Sequence, residues 1–387
     1  MTFKGYRRPN GKVGIRNKIL ILPTCNCSSE TAQRIATLVE GSVSFVNQNG
    51  CSQTQDDVKY TVDVLAGFAA NPNVYGVVVV GNGCEVLGAD RVIDAIRARD
   101  AVKPVYRVVI QEEGGTPSAI EKGSSYARIL AEEASRLSQE DVDISELIVA
   151  TECGGSDATS GIAANPVVGN MSDRVIAAGG TVILSETTEF MGAEHILARR
   201  AATPELGQRI LDCVSRYENY LKSLHTDLRG TNPAPGNKKG GITTLEEKSL
   251  GCIYKGGSTT IMGVYDYAQP VDGRGLVIMD TPGADSASLC GMAAGGAQIA
   301  VFTTGRGTPI GNPIMPVIKV TGNAETAKRM AANMDFDASG VFVAEDTIDD
   351  LGEKLTDLIL EVANGRRTKA ELYNMNEVGF SRLCNYV

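Results

Sequence analysis

Short apolar runs alternate with amphipathic stretches over the first third of the chain. The runs are rich in β-branched residues and read KILILP near residue 20, VSFVN near 45, YGVVVVG near 78 and VYRVVI near 107. Helical periodicity lies between and after them, at 30–40, 56–70, 88–99 and 118–137. Apolar strands that alternate with amphipathic helices are typical of βα units on a parallel sheet. The first third therefore predicts a Rossmann-like α/β domain.

The same pattern restarts after SQEDVDIS, a charged stretch with few apolar residues. ELIVAT, GTVILSE, GLVIMD and AQIAVFTT are predicted as strands of a second sheet, and residues 345–363 as an amphipathic surface helix. A chain of 387 residues is longer than one hydrophobic core normally supports. We predict an α/β fold of two Rossmann-like domains with mainly parallel sheets, at residues 1–138 and 139–387.

Residues 227–241, DLRGTNPAPGNKKGG, interrupt the second domain with two prolines and four glycines. This composition disfavours both helix and strand, so we predict a long loop. Long loops in compact domains are often lids or binding loops, and a solvated connector is the alternative interpretation.

Composition narrows the class of protein. The apolar share is 43%, the charged share 21% and the net charge −9, which indicates a globular enzyme and disfavours nucleic acid or anionic membrane as a partner. The N-terminus is polar, and no run of about 18 apolar residues is present. We expect a cytoplasmic protein, in which the nine cysteines are buried thiols, reactive thiols or metal ligands rather than disulfides.

Three cysteines stand beside glycine after predicted strands, namely Cys51, Cys84 and Cys153. Ligands of open α/β sheets bind outside the carboxyl ends of the strands, so the three thiols are expected to converge on a metal. Three thiolates without a fourth suit iron, either as Fe²⁺ completed by substrate and water or as a 4Fe–4S cluster with one open iron. The alternative for each is an inert buried thiol. Cys25 and Cys27 are rival ligands at the same edge.

The remaining cysteines lack this setting and are expected in the core or on the surface. They are Cys213, Cys252, Cys290 and Cys384. The chain has only two histidines, which makes a Ser-His-Asp triad or a histidine-rich zinc site improbable. Acid and base chemistry must then come from Lys, Asp, Glu, Tyr or metal-bound water.

Several polar residues at predicted strand ends and turns are candidates for catalysis or anion binding. Lys248 and Lys255 lie in a glycine-rich segment and are expected to hold a carboxylate or, if desolvated, to act as a base; solvated surface lysines are the alternative. Arg306 stands between glycines after a strand, where a guanidinium can grip an anion. The other candidates are Glu85 and Asp157 for catalysis and Ser156, Ser160 and Arg16 for substrate binding, with Asp280 and Glu186 as metal contacts, contacts outside the metal ligands, or turn caps.

In this combination the segments resemble a known family, the altronate and galactarate dehydratases with the related sulfolactate sulfo-lyases. The resemblance covers essentially the whole chain. It is carried by GYRRPNGKVGIRN, ILPTCNC, NQNGCSQ, NPNVYGVVVVGNGCE, ECGGSDATSGIAANP, GGTVILSETTEFMGAE, TTLEEKSLGCIYKGG, LVIMDTPG and FTTGRGTPIGNPIMPVIKV. The resemblance implies an iron-requiring lyase that acts on a small anionic hydroxy acid.

Single-chain members of this family carry a small domain ahead of the GYRRPNGKVGIRN motif, near which this chain begins. The resemblance therefore implies the large subunit of a split enzyme, with a small partner subunit of the SAF type, and an oligomer. NQNGCSQ departs from the family's usual NQHGCGQ, so Asn49 replaces a histidine and is assigned to substrate binding.

Because a short sulfonate needs mainly cationic partners, we favour sulfolactate, with elimination of sulfite to give pyruvate. Loss of water from altronate or galactarate, giving a 2-keto-3-deoxy acid, is the second interpretation. A non-catalytic ligand-binding or regulatory homologue is the third.

Overall fold

The computed structural model describes residues 1–384, which form two parallel sheets and one small antiparallel sheet, each packed against helices or a neighbouring sheet. The strands are β1 (Thr2–Arg7), β2 (Val13–Gly14), β3 (Lys18–Pro23), β4 (Ser42–Val43), β5 (Val74–Gly81), β6 (Val105–Val109), β7 (Glu140–Asp143), β8 (Ile148–Cys153), β9 (Thr181–Leu184), β10 (Ile261–Tyr265), β11 (Gly275–Met279), β12 (Ile299–Thr303), β13 (Val317–Thr321) and β14 (Phe336–Asp337). The helices are α1 (Asn26–Thr37), α2 (Gln55–Ala70), α3 (Ala89–Arg99), α4 (Thr116–Ser135), α5 (Asn165–Ala177), α6 (Glu194–Ala198), α7 (Pro204–Ser223), α8 (Pro235–Lys239), α9 (Leu245–Ile253), α10 (Asp285–Ala294), α11 (Ala324–Arg329), α12 (Ile348–Ala363) and α13 (Lys369–Leu372). The predicted α/β class with mainly parallel, Rossmann-like sheets is confirmed.

The first sheet has the order β4-β3-β5-β6, and all its neighbouring strands are parallel. Side chains alternate between its two faces, as the period of two in a strand requires. Ile19 and Ile21 of β3 pack with α1 and α4, whereas Leu20 and Leu22 pack on the opposite side with α2. Both faces are therefore apolar, which explains the continuous hydrophobic runs in the sequence.

The second sheet has the order β10-β11-β9-β8-β12-β13-β14 and is also parallel. The direction of winding reverses between β8 and β12, and in the first sheet it reverses between β3 and β5. Loops that diverge from such a switch point leave a crevice where α/β proteins bind ligands. The topology thus favours two places for a ligand, beyond Cys153 in the second sheet and beyond Pro23 in the first.

One apolar core joins the two sheets, with α2 and α10 packed side by side between them. Gly67 near the end of α2 abuts Ala294 at the end of α10, so the two helices point the same way. The side-chain amides of Asn71 and Asn73 add hydrogen bonds to carbonyls of the second sheet's connections, at 2.8–2.9 Å. The carboxyl ends of both sheets therefore lie on the same side of the molecule.

Two segments differ from the sequence predictions. The charged stretch SQEDVDIS contains β7, which pairs antiparallel with β1 and buries Phe3 and Val142 while its acidic side chains remain exposed. The predicted loop 227–241 contains a 3₁₀ turn at Leu228–Gly230 and the short helix α8. Proline is tolerated there because it occupies the first turn of α8, where its missing N–H costs nothing.

Across residues 1–384, no helix has the length and apolarity needed to cross a membrane.

Candidate functional site

A buried thiol pair lies at the switch point of the second sheet. Cys153 is the last residue of β8, and its Sγ lies 3.8 Å from the Sγ of Cys252 in the last turn of α9. Both side chains are buried. The neighbouring thiol and the burial both raise the pKa of Cys153, because a second negative charge in this place has little solvent to stabilise it.

A lysine and a glutamate complete the cluster. Lys255 is fully buried, and its Nζ lies 2.9 Å from the Oε2 of Glu186 and 3.1 Å from the Sγ of Cys252. Burial lowers the pKa of Lys255, but the surrounding thiols and carboxylates outweigh it, so the pKa lies above its ordinary value. The same Glu186 oxygen accepts the backbone N–H of Cys153 at 2.9 Å. The Lys255 ammonium thus contacts both the Glu186 carboxylate and the Cys252 thiol.

Glu186 has a left-handed backbone, with φ of 74°, although it carries a long side chain. Its N–H donates to the hydroxyl of Thr281, which holds this conformation. A non-glycine residue in this region costs about 1–3 kcal/mol, and such strain is concentrated at functional sites. The strained turn after β9 aims the carboxylate back at the end of β8.

Local sequence explains why α9 delivers Cys252 and Lys255 to this point. Thr244 caps the helix by accepting the N–H of Glu247, and the first turn carries acidic side chains that suit its positive end. Gly251 faces Gly161 so closely that a Cβ on Gly251 would lie 3.0 Å from the Cα of Gly161. This close approach lets α9 pack against the segment that follows β8, next to Cys153.

Buried acids surround the cluster. Burial and the nearby Glu186 raise the pKa of Glu152, and burial raises that of Asp285 to about 6. Within residues 1–384, one oxygen of Glu152 and one of Glu189 are buried without a hydrogen-bond partner. Unpaired buried oxygens are costly, so such groups commonly mark a place that receives a ligand or an ion.

A cavity of about 200 Å³ opens over the two thiols. Lys248 lines it together with Cys153 and Cys252, and its Nζ lies 2.9 Å from both Glu189 Oε1 and Asn232 Oδ1. Burial lowers the pKa of Lys248, but the surrounding anionic groups, Glu189 first among them, together raise it by a larger amount. The pKa of Lys248 is therefore above its ordinary value. Lys248 is therefore a cation within this cavity.

Three ligand atoms in the cluster are close enough to hold one metal ion. The Sγ atoms of Cys153 and Cys252 and a carboxylate oxygen of Glu186 all lie within 4.8 Å of one another. Two thiolates and one carboxylate suit a transition metal that accepts sulfur ligands, iron or zinc among them. The donor set therefore fits the expectation of a metal; the sequence offers Glu186 as a metal contact, whereas it does not offer Cys252 as a ligand.

Comparison with known proteins identifies the family. Residues 5–135 match the second domain of D-galactarate dehydratase/altronate hydrolase, and residues 144–385 match the C-terminal domain of D-galactarate/altronate dehydratase. The chain belongs to the galactarate and altronate dehydratase family. The predicted resemblance is confirmed.

Relatives within this family are named as lyases. The chain is 39% identical to the (2R)-sulfolactate sulfo-lyase subunit beta of Chromohalobacter salexigens, over 99% of this chain and 97% of that protein. It is 37% identical to the altronate dehydratase of Bacillus subtilis, over 97% of this chain and 77% of that protein. Identity to the galactarate dehydratase of Escherichia coli is 36%, over 95% of this chain and 73% of that protein. The expectation of a lyase is confirmed at the level of the dehydratase family.

The predicted polar residues after β8 form the wall of the cavity. Asp157 is buried, and it accepts hydrogen bonds from Thr159, from Ser160 and from the amide of Asn323 at 2.8 Å. Ser160 in turn accepts the N–H of Asp157, and Ser156 uses its carbonyl to accept the amide of Asn237. These hydrogen bonds hold the turn after β8 in place, and the catalytic role of Asp157 stays a prediction.

Arg306 and Arg16, both predicted to bind substrate, lie in different settings. Arg306 is exposed beyond β12, where its N–H donates to Gly155 and its guanidinium makes one long hydrogen bond of 3.4 Å to Gly236. Arg16 uses all five of its N–H groups on Glu371 and on three backbone carbonyls. Arg306 is available to a ligand, whereas the contacts of Arg16 hold the C-terminal segment.

Cys51 and Cys84 lie near the first sheet. Both lie in loops at its carboxyl edge, and the neighbourhood of Cys51 includes Cys25 and Cys27. Burial and these thiols raise the pKa of Cys51 to about 11. In the part of the chain that the structure describes, Cys51, Cys84 and Cys153 do not form a group of ligand atoms within 4.8 Å. Shared ligation by the three stays a prediction.

Glu85 and Asn49 also lie at this edge, where they are used by the chain itself. Glu85 accepts hydrogen bonds from Thr24 at 2.6 Å and from the N–H groups of Asn82 and Gly83. Burial raises the pKa of Glu85, but these donors outweigh it and hold the pKa below its usual range. Asn49 donates to the carbonyl of Phe380 at 3.3 Å. Their assigned roles in catalysis and substrate binding stay predictions.

Sequence reasoning placed Cys252 among core or surface cysteines; its side chain is buried, and it also lies beside Cys153, which was not predicted. Its partner Cys153 is 99 positions away, so no local spacing reveals the pair. One signal was present, because Cys252 and Lys255 are three residues apart and lie on the same side of one helical turn.

Proposed function

We propose that the chain is the large subunit of a lyase that eliminates a group β to the carboxylate of a small 2-hydroxy acid. The observation that carries the proposal is the cluster of Cys153, Cys252, Glu186 and Lys255 at the switch point of the second sheet, with Lys248 in the cavity above it. A buried cluster of opposite charges with an adjoining cavity is the arrangement expected of a catalytic site.

We favour sulfolactate as substrate. The chain is 39% identical to a protein named as a sulfolactate sulfo-lyase subunit, compared with 37% and 36% for relatives named as altronate and galactarate dehydratases. In the reaction, a base of the site takes the proton from the hydroxyl-bearing carbon. The carbon–sulfur bond then breaks with its electron pair, sulfite leaves, and the enol becomes pyruvate.

Iron is the metal that we propose for the cluster, held by Cys153, Cys252 and Glu186. When bound, it would supply a Lewis acid that polarises a substrate oxygen. Lys255 contacts two of the three ligand groups, so its ammonium offsets their negative charge. A metal ion would compete with this ammonium for the same groups, so metal binding is expected to release a proton or to move the Lys255 side chain.

Lys248 is proposed to bind the substrate carboxylate. Burial lowers the pKa of Lys248, but Glu189 and Cys153 together raise it by more, which favours the protonated ammonium over a base. Its ammonium lines the same cavity as both thiols, so it can orient a carboxylate above them. The predicted choice between anion binding and base catalysis is resolved in this proposal in favour of anion binding.

Dehydration of altronate or galactarate is the alternative activity, because relatives named for both substrates match 95–97% of this chain. In that case water leaves in place of sulfite and a 2-keto-3-deoxy acid forms. The same cation and the same metal site serve both reactions.

We also propose a partner subunit that covers the cavity. Ile162, Leu250 and Tyr254 line the cavity and are 44–59% exposed, which leaves an apolar rim around a polar site. One relative of this chain is named as a single subunit of its enzyme, the (2R)-sulfolactate sulfo-lyase subunit beta. A small second polypeptide that buries this rim fits both observations. We expect it to be of the SAF type.

A substrate panel tests the proposal. The chain is purified without oxygen, with and without a co-expressed small subunit, and is analysed for iron and for release of sulfite or 2-keto acid from sulfolactate, altronate and galactarate. We expect iron in the protein, and sulfite with pyruvate from sulfolactate in the presence of the partner. Protein without iron that eliminates nothing from any of the three, even with its partner, would contradict the proposal.

A further inference from the structure

A second cavity lies at the same switch point, on the other side of the turn that follows β8. Its volume is about 410 Å³, and it is bounded by the loop after β12, the end of α8 and the helix α11. Asp157 lines both this cavity and the one above the thiols, so the two spaces are adjacent. We call the second space the basic cavity.

The basic cavity concentrates positive charge in a chain whose net charge is −9. Lys239, Arg306 and Arg329 line it, and all three are exposed. In residues 1–384 none of them forms an ion pair. The side-chain hydrogen bonds of the two arginines there are long contacts of 3.4 Å to neutral oxygens. The three cations are therefore available to a ligand.

Acidic residues do not cancel this charge. Asp157 is the nearer carboxylate, but its oxygens already accept hydrogen bonds from Thr159, Ser160 and Asn323. Glu325 is exposed at the margin, on the first turn of α11. Three cations against two carboxylates leave an excess of positive charge around the cavity, which favours an anion there.

We infer that the basic cavity binds a second anionic group of the substrate, so that the chain prefers hydroxy acids with two anionic groups over those with one. This inference rests on the proposed function, in which Lys248 holds the first carboxylate in the neighbouring cavity. A sulfonate or a second carboxylate meets the same requirement, because the guanidinium fork pairs with either. Arg329 and Lys239 then join Arg306 as residues that determine specificity.

Two unreactive probes separate charge recognition from turnover. Malate is a 2-hydroxy acid with a second carboxylate, and lactate lacks that group. Their dissociation constants are measured by calorimetry on the full chain, with its partner subunit where one is required. We expect malate to bind at least about tenfold more tightly than lactate, as one added charged hydrogen-bonding group typically provides.

Charge-removing variants locate the effect. Arg329→Gln and Arg306→Gln are each expected to weaken malate binding by about tenfold and to leave lactate binding unchanged. Arg136→Gln is the matched control, because this arginine is exposed at the end of α4 and pairs with Glu132. Equal affinity for both probes, no binding of either, or an equal loss of both in Arg329→Gln would overturn the inference.

Turnover of sulfolactate in the same variants distinguishes the two proposals. Selective malate binding in a protein without elimination activity would keep the basic cavity and remove the proposed function. Elimination with an unchanged KM in both arginine variants would keep the function and remove the inference.

Discussion

At the scale of single residues, the buried Lys255 is the clearest sign of a functional site. A fully buried ammonium is unfavourable unless anionic groups surround it, and here Glu186 and Cys252 do so at 2.9 and 3.1 Å. Such a pair contributes little net stability compared with apolar residues of the same volume. The presence of this buried pair is therefore better explained by a role in catalysis or ligand binding than by a contribution to the stability of the fold.

Cys252 provides the sharpest test of the metal ligands. We expect Cys252→Ser to lose most of its iron relative to the wild type, because a serine hydroxyl replaces one of two thiolate ligands. The measurement is iron content, with an electron paramagnetic resonance spectrum of anaerobically purified protein. Cys213→Ser is the matched control, since this thiol is also buried but lies in α7 outside the cluster.

Full iron content in Cys252→Ser would remove this residue from the ligand set. Loss of iron in Cys51→Ser and Cys84→Ser instead would support the set predicted from the sequence.

At the scale of elements, the segment 227–241 is fastened to the site by two asparagines. Asn232 contacts both Glu189 and Lys248, and Asn237 donates to the carbonyl of Ser156 at 2.8 Å. Asn237 also accepts the N–H of Ala234 and so begins α8. Lys239 and Gly240 of the segment line the basic cavity, and Asn232 contacts Lys248 of the neighbouring one.

Asn237→Ala is expected to loosen this segment. The change removes two hydrogen bonds, one of them buried, at a cost of about 1–3 kcal/mol. We expect faster amide hydrogen exchange and faster proteolysis within 227–241, together with a several-fold higher KM. The control is Asn10→Ala, because Asn10 caps an exposed turn near the N-terminus. Unchanged exchange in the segment would show that Asn237 does not hold it.

At the scale of the whole molecule, contacts between distant parts of the chain unite the two sheets. Arg16 near the first sheet is paired with Glu371 in α13, and both side chains are only 10% exposed. The strand β1 pairs with β7, and the shared core around α2 and α10 lies between the sheets. These contacts fix the two switch points on one side of the molecule.

Glu371→Gln is expected to lower the free energy of unfolding by about 3–5 kcal/mol, because it leaves a buried guanidinium without its counter-charge. Urea denaturation measures the change. Glu361→Gln is the control, since its pair with Arg366 is 55–56% exposed and contributes about 1 kcal/mol or less. Similar losses in both variants would contradict the role of the buried pair.

The same pair predicts a dependence on pH. Burial raises the pKa of Glu371, but the hydrogen bonds and charge of Arg16 outweigh it, so the pKa lies below its usual range. The stabilisation is therefore complete above the pKa of an unfolded glutamate, about 4.3, and is lost as the pH falls through the folded value. Denaturation curves of the wild type and Glu371→Gln are expected to converge in that acid range.

The sequence by itself determined the class of fold, the position of the central strands of both parallel sheets and of the helices α1 to α4 and α12, and the family. Apolar runs and helical periodicity depend on neighbouring residues, and the motif segments are local, so both can be recognised without coordinates. It also singled out Cys153, Lys248, Lys255 and Arg306, each of which the structure places at or beside the second switch point.

Only the tertiary structure decided which of these side chains meet. The thiol pair joins residues 99 positions apart, and Glu186 reaches it through a strained turn of a third element. The strand order decided that Cys51 and Cys84 lie in loops next to the first sheet, whereas Cys153 ends a strand of the second. Distances across a sheet depend on how strands are ordered and packed, which no spacing along the chain encodes.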